Sequence, residues 1–293
     1  MEKDKDIVDI KDINTLVFSG GGVRSLSFIG SLKALEYIGL KRTQLKNIVG
    51  TSSGAFVGFM FGIGYSSQEM WKKMFEINFT ELYKIHITEL IRHMGLNDRS
   101  ALRKTLKELI QFKTKDENIT FKEVFEQFNI KLTCVAVNLN KEKVVYLNYE
   151  TYPDMPLYMA LEMTMCAPFI FCPVELDDEY YLDGGLLDNF AMSYVENNLS
   201  DIPHILGLCL TEESVDEEIK TMNQYITKII FMMASYSVYF VPCDKYNLIE
   251  INTGAIKSFQ TNLTSQEKKF LFTKGFVQAC KFFGNPLIED KEC

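Results

Sequence analysis

Ser52 stands between two glycines in Gly50-Thr51-Ser52-Ser53-Gly54, after the β-branched pair Ile48-Val49 and before an apolar helical pattern. Gly-x-Ser-x-Gly in that setting is the tight strand-to-helix turn that presents a serine hydroxyl at a sheet edge. Alone, the segment also suits a turn of small residues. A second glycine turn, Gly20-Gly21-Gly22-Val23-Arg24, follows the apolar run Leu16-Val17-Phe18 and opens another helix. Backbone amides at a helix start stabilise negative charge. A hydroxyl nucleophile beside an anion cradle is what acyl transfer needs. Ser52 is the candidate nucleophile, and Gly20, Gly21, Gly22, Arg24 and Ser53 are the candidate oxyanion-stabilising residues. Gly50 and Gly54 frame the turn.

A serine hydroxyl is a weak nucleophile until a base takes its proton. The histidines are His86, His93 and His204. The first two fall in a helical stretch, as surface or lid residues. His204 opens a strand, away from the carboxyl ends of strands where ligands collect in α/β sheets. Asp183 is the better base. It ends Tyr180-Tyr181-Leu182 and is followed by Gly184 and Gly185, which let a ligand or backbone approach closely. A plain turn aspartate is the competing reading. A carboxylate of ordinary pKa is a poor base for serine, but apolar surroundings raise that pKa.

The elements that would carry these residues alternate. Strands are expected at Asn14–Ser19, Lys46–Gly50, Lys131–Asn138, Lys143–Asn148, Phe171–Leu176, Tyr180–Leu182, Ile205–Leu210 and Tyr246–Asn252. The helix after the first strand carries Leu26, Ile29, Leu32, Leu35 and Ile38 at helical spacing, with Gly39 as its stop. Strand, helix, strand is a βαβ unit, so neighbouring strands should run parallel. Residues 65–128 look helical, without a strong strand, and Asn97-Asp98 should cap a helix bearing Leu102, Leu106, Leu109 and Ile110. A short helix is expected near 156–165, and long ones at about 216–240 and 265–283. The fold class is α/β: a mostly parallel central sheet with helices on both faces and a helical insertion at about 65–128. The chain divides into a charged, solvated leader at 1–13, a catalytic domain at 14–211 and a helical extension at 212–293 packed on that same domain.

A net charge of −8 argues against nucleic acid as the main partner and against polybasic anchoring to anionic lipid. Seven scattered cysteines without a Cys-x-x-Cys pair read as free thiols of a reducing compartment. The charge-dense start has no apolar signal region, so the expected location is cytoplasmic. No cluster of His, Cys and carboxylates has ligand spacing, so neither metal nor cofactor is expected. Aromatic and methionine residues at Phe231-Met232-Met233 through Tyr239-Phe240-Val241, and at Phe270, Phe272, Phe276, Phe282 and Phe283, read as buried against the sheet, with lipid contact as the alternative.

In their order along the chain these motifs resemble the patatin-like phospholipase family. Gly20, Gly21, Gly22 and Arg24 match its Gly-Gly-Gly-x-Arg oxyanion loop; Gly50, Ser52 and Gly54 match its nucleophile motif; Asp183, Gly184 and Gly185 match its Asp-Gly-Gly motif. Cys166-Ala167-Pro168 through Pro173 and Gly95-Leu96-Asn97-Asp98 are similar to two further family stretches. The similarity covers about residues 14–211. It implies a three-layer patatin-like fold and a lipid acyl hydrolase working through a Ser52–Asp183 pair without histidine. It also implies a phospholipid or other acyl-ester lipid as substrate and a membrane surface met peripherally. Ser25 stands where the family usually has another glycine, and Ala191 where it often has proline.

Three other readings compete with this one. An α/β-hydrolase triad of Ser52, Asp183 or Asp188, and His204 fits a known chain order. A dinucleotide-binding module lacks the acidic residue for a ribose hydroxyl after the second strand. An inactive binding protein of patatin type sits poorly with intact Ser52 and Asp183.

Overall fold

The computed structural model describes residues 8–82, 94–211, 218–239, 241–242 and 245–285, and all structural statements below concern these. His86, His93, Phe240, Cys243 and Cys293 lie outside them, as do the side chains of Phe231 and Tyr239.

The central sheet has the strand order β10-β9-β1-β2-β4-β8-β7. Its five parallel strands are β1 (Thr15–Phe18), β2 (Asn47–Thr51), β4 (Lys131–Asn138), β9 (Ile205–Thr211) and β10 (Asn247–Asn252). Antiparallel strands β8 (Glu179–Asp183) and β7 (Val174–Leu176) extend it beyond β4, and β5 (Lys143–Leu147) also pairs antiparallel with β4. Successive side chains of a strand point to opposite faces, so the Thr-Leu-Val-Phe of β1 feeds two cores. Leu16, Phe18 and Ile48 join a large core with the helices α1 (Leu26–Ile38) and α2 (Ser52–Gly62). Val17, Val49 and Val135 join a smaller one with Phe190, Met192 and Val195. The result is a sheet flanked by helices on both faces, the three-layer arrangement expected from the alternation.

Four expectations are corrected by packing. The segment before β1 is not wholly solvated: Ile10 and Ile13 are buried, and Gln44 donates from Nε2 to both their carbonyls at 2.8 Å. The insertion, with helices Ser67–Glu76, Phe79–Leu82, Ser100–Thr114 and Phe121–Phe128, also holds a strand, β3 (Gly95–Asn97). It pairs in parallel with β6 (Phe169–Phe171), so the expected strand 171–176 is instead two short strands in different sheets. Asn97 and Asp98 do not cap the next helix at its N-cap position. Asn97 Oδ1 accepts the Arg99 amide at 2.7 Å and Asp98 Oδ1 the Ser100 amide at 3.0 Å, which leaves Arg99 as the N-cap at φ 65°.

The extension beyond β9 supplies an edge strand as well as helices. β10 pairs with β9 along its whole length, and the helix Ser265–Phe282 lies on α1. Those two helices meet backbone to backbone. A Cβ on Gly30 would come within 1.8 Å of the Phe272 carbonyl oxygen, and one on Gly275 within 1.7 Å of the Ser27 carbonyl oxygen. Ser31 Oγ donates to the Gly275 carbonyl across the crossing at 2.9 Å.

Candidate active site

Strand register sets the geometry. Thr51, the last residue of β2, lies beside Val135 of β4, and Ala136 lies opposite Asp183, the last residue of β8. Ser52 and Asp183 therefore leave their strands at one level, on either side of β4. Ser52 Oγ donates to Asp183 Oδ2 at 2.6 Å, and the Gly185 amide donates to Asp183 Oδ1 at 2.8 Å.

Ser52 is held at φ 53°, the left-handed region that side chains other than glycine seldom enter. Gly50 and Gly54 permit the turn. A Cβ at Gly50 would lie 2.5 Å from the Ala55 Cα, and one at Gly54 2.2 Å from the Ser19 carbonyl oxygen. The turn is tied down from outside: the Ser52 amide donates to Thr164 Oγ1 at 2.9 Å, and Thr51 Oγ1 donates to the Asp188 carbonyl at 3.1 Å. Thr164 Oγ1 donates in turn to the Val135 carbonyl at 2.5 Å. Thr164 was not found from sequence, and no motif or spacing points to it. It ends the helix Leu157–Thr164, far from Ser52 along the chain.

Asp183 is buried, and burial pushes its carboxyl up to about 6; the hydrogen bonds from Ser52 and from the Gly185 amide oppose that rise. Gly184 packs its backbone on β4, where a Cβ would sit 2.4 Å from the Val135 carbonyl oxygen. Asp188, the other acidic candidate, is engaged elsewhere, accepting from the Tyr146 hydroxyl at 2.8 Å.

The glycine loop leaves β1 at the same sheet edge. Gly20 approaches Ser52 so closely that a Cβ on it would lie 3.2 Å from the Ser52 Cβ. Its amide donates to the Asn189 carbonyl at 3.1 Å. The Val23 amide is likewise spent on the Ser258 carbonyl at 2.9 Å. Between them, the Gly21 and Gly22 amides have no acceptor among the described residues. Gly22 sits at φ 59°, and a Cβ there would meet the Ser258 carbonyl oxygen at 2.0 Å. Arg24 is buried and its Nε donates to the Gly21 carbonyl at 3.3 Å, bracing the loop from within. Ser53 lies in the first turn of α2, where amides have no intrahelical acceptor. Its hydroxyl is buried without a hydrogen-bond partner among the described residues.

Ser52, Asp183, the glycine loop and Ser53 line one cavity of about 440 Å³. Leu210 and Leu248 from β9 and β10 and Ile230, Ala234 and Val238 from the helix Met222–Tyr239 add apolar wall, with Thr211, Ser235 and Glu250 among them. A volume in this range holds a sizeable organic ligand. His204 is not brought to the site. It closes a short 3₁₀ turn before β9, at the sheet edge opposite Ser52, and its Nδ1 is 2.8 Å from the Asp12 carbonyl oxygen.

Comparison with known proteins agrees with this architecture. Residues 16–195 match the model of the patatin-like phospholipase family. A probable lipid hydrolase, 463L of Invertebrate iridescent virus 6, is 32% identical over 187 residues, which cover 62% of this chain and 63% of that one. The uncharacterized protein R571 of Acanthamoeba polyphaga mimivirus is 28% identical over 279 residues, covering 90% of this chain and 91% of the relative. Among solved structures, VipD from Legionella pneumophila superposes with a TM-score of 0.65 at 17% identity, over 93% of this chain and 67% of its own. The type III effector ExoU gives a TM-score of 0.54 at 13% identity, over 95% of this chain and 54% of its own. At such identities the two structures speak for the fold alone. The family match spans well over half of the chain and contains every element from β1 to the Asp-Gly-Gly turn, so this chain belongs to the patatin-like phospholipase family.

Proposed function

We propose that this protein is a lipid acyl hydrolase of the phospholipase A type, a carboxylic ester hydrolase in which Ser52 and Asp183 act as a dyad. The observation that carries this reading is the 2.6 Å hydrogen bond from a strained, cavity-facing Ser52 to a buried Asp183 whose carboxyl is pushed up to about 6. A base is most effective with a pKa near the operating pH.

In this mechanism Asp183 Oδ2 accepts the Ser52 proton as Oγ attacks the carbonyl carbon of a fatty-acyl ester. The carbonyl oxygen becomes an oxyanion facing the amides of Gly21, Gly22 and Ser53. As the intermediate collapses, the ester C–O bond breaks and Asp183 returns the proton to the leaving alcohol. Water then enters, gives a proton to Asp183, attacks the acyl-enzyme and releases the fatty acid, and Ser52 recovers its proton. Losing one oxyanion donor should cost about 10²–10³ in rate and losing the base about 10²–10⁴.

The test uses purified protein and a fatty-acyl ester. Ser52→Ala and Asp183→Asn should each lose nearly all hydrolysis, and a fluorophosphonate probe should label Ser52. A variant lacking His86, His93 and His204 should keep its activity, since His204 lies at the opposite sheet edge. Retained hydrolysis by Asp183→Asn would overturn the dyad. Loss in the histidine-free variant would restore the triad, and absent labelling would favour a binding protein.

A further inference from the structure

The helix Met222–Tyr239 is built the wrong way round for an ordinary surface helix. At about 100° per residue, Ile230, Ala234 and Val238 fall on one side, and these line the cavity that holds Ser52. Met222, Tyr225, Ile229, Met232, Met233 and Tyr236 fall within an arc of about 100° on the other side. That side faces outward, with Met222 71%, Met232 62% and Tyr236 67% exposed. The expectation that this aromatic and methionine segment is buried against the sheet holds only for its inner side. Soluble helices ordinarily put charge on the outer face. Here one lysine, Lys228, is the only charged residue in the helix, in a chain of net charge −8.

We propose that this outer stripe docks the protein on a phospholipid surface, so that the mouth of the Ser52 cavity opens against the substrate. The inference rests on the acyl-ester reading of that cavity. Three features select this occupant. Large apolar patches on a monomer mark interaction sites. The absence of carboxylates from the helix removes repulsion from lipid phosphates, which the rest of an acidic chain would exert. The stripe also shares its helix with Ile230, Ala234 and Val238, which line the Ser52 cavity, so a surface docked on it lies one helix width from that cavity. No helix among the described residues is long and apolar enough to cross a membrane. The helix would therefore lie in the interface, with its methionine and tyrosine side chains among headgroups and upper acyl carbons.

The experiment separates docking from hydrolysis by using the full chain carrying Ser52→Ala. This protein should sediment with extruded phosphatidylcholine vesicles. Adding Met222→Glu, Met232→Glu and Tyr236→Glu should weaken that partitioning about tenfold or more. With Ser52 intact, the triple variant should hydrolyse a soluble short-chain ester within about twofold of the parent while its rate on vesicle phospholipid falls about tenfold or more. A gentler variant, Met232→Trp, should move its added emission to shorter wavelength with vesicles once the Trp71 signal of the parent is subtracted. Failure of the Ser52→Ala protein to sediment, equal binding by the triple variant, or an unmoved emission from the introduced indole overturns the proposal. So does a dimer in sedimentation velocity that the three glutamates abolish, because the stripe would then be a contact with a second copy. Vesicle binding by a chain that hydrolyses no ester would sink the cavity reading and leave docking standing. Hydrolysis of the soluble ester without vesicle binding would do the reverse.

Discussion

Thr164 accepts the backbone amide of Ser52 at 2.9 Å and donates its own hydroxyl to the carbonyl of Val135, joining the serine turn to the strand on its far side. This bond holds the Ser52 turn where its backbone is strained. Replacing Thr164 with valine keeps the shape and leaves a buried N–H without an acceptor, a loss of about 1–3 kcal/mol. Thr164→Val should lower thermal stability and cut kcat by about tenfold or more, with KM nearly unchanged. Thr164→Ser should restore both. An unaltered kcat in the valine variant would show that the turn keeps its shape without this support.

The Asp183 carboxyl gives a pH signature in activity. Its folded pKa is about 6, so the base form fills as pH rises through that value, and kcat/KM on a soluble ester should climb with unit slope below it and level off above. A profile flat from about pH 4.5 to 8 would remove Asp183 as the base.

The same carboxyl gives a signature in stability with the opposite sign. Its folded pKa lies above its unfolded value of 3.8, so the native state binds the extra proton between the two. Stability from this group is fully present below pH 3.8 and is lost as pH rises to about 6. The full loss is about 3 kcal/mol at roughly 1.4 kcal/mol per pH unit. Asp183→Asn should therefore be more stable than the parent at about pH 7.5 by thermal unfolding, and the gain should vanish near about pH 4. Equal melting temperatures at both pH values would contradict the burial cost.

The site was legible in sequence wherever a side chain is chosen for its chemistry. Ser52, Asp183 and the glycines are residue types that the proposed chemistry of the turn and the loop requires, and such constraints appear as motifs. What stayed hidden acts through the backbone. The carbonyls of Asn189 and Ser258 consume the amides of Gly20 and Val23 and so decide which loop amides are left without a backbone acceptor. Any residue has a carbonyl, so composition carries no trace of them. The same holds for the fold. The alternation of strands and helices announced the central sheet, because periodicity reports burial directly. β3 and β6 were missed or merged, since three-residue strands carry too little pattern. The outward exposure of Met232, Met233 and Tyr236 departs from the expected burial because a helix apolar on both sides has the composition of a buried one.

Arg103 and Glu162 tie the insertion to the helix that ends at Thr164. The guanidinium Nε and Nη2 hold the carboxylate at 2.9 Å and 3.0 Å, with Glu162 wholly buried and Arg103 46% exposed. Burial still pushes the Glu162 carboxyl above its ordinary value, although Arg103 pulls it down. Arg103→Gln removes that pull and raises the folded pKa further. Its stability deficit should be about 2 kcal/mol at about pH 8, the usual cost of orphaning a buried charge reduced for the half-exposed arginine. The deficit should be smaller at about pH 5 than at about pH 8, because burial favours the protonated Glu162 carboxyl as pH falls. Urea unfolding at both pH values checks this, and a deficit that grows toward the lower pH would be incompatible with it.

The crossing of α1 with the helix Ser265–Phe282 depends on two glycines that no catalytic motif contains. Gly275 presses on the Ser27 carbonyl so closely that a methyl group would arrive at 1.7 Å, and both contacts are backbone, which cannot rotate aside. Alanine would ordinarily favour a helix interior over glycine by about 1 kcal/mol. Here the clash must win, because relief requires the helices to separate and to give up the Ser31 Oγ to Gly275 hydrogen bond of 2.9 Å. Gly275→Ala should destabilise the fold by about 2 kcal/mol, within the usual range for overpacking. Because α1 follows directly from the glycine loop, hydrolysis should fall as well, while a surface control on the same helix, Lys274→Ala, should change neither. Should Gly275→Ala instead raise the melting temperature, helix propensity would outweigh the contact and the close approach of these two helices would not exist in solution.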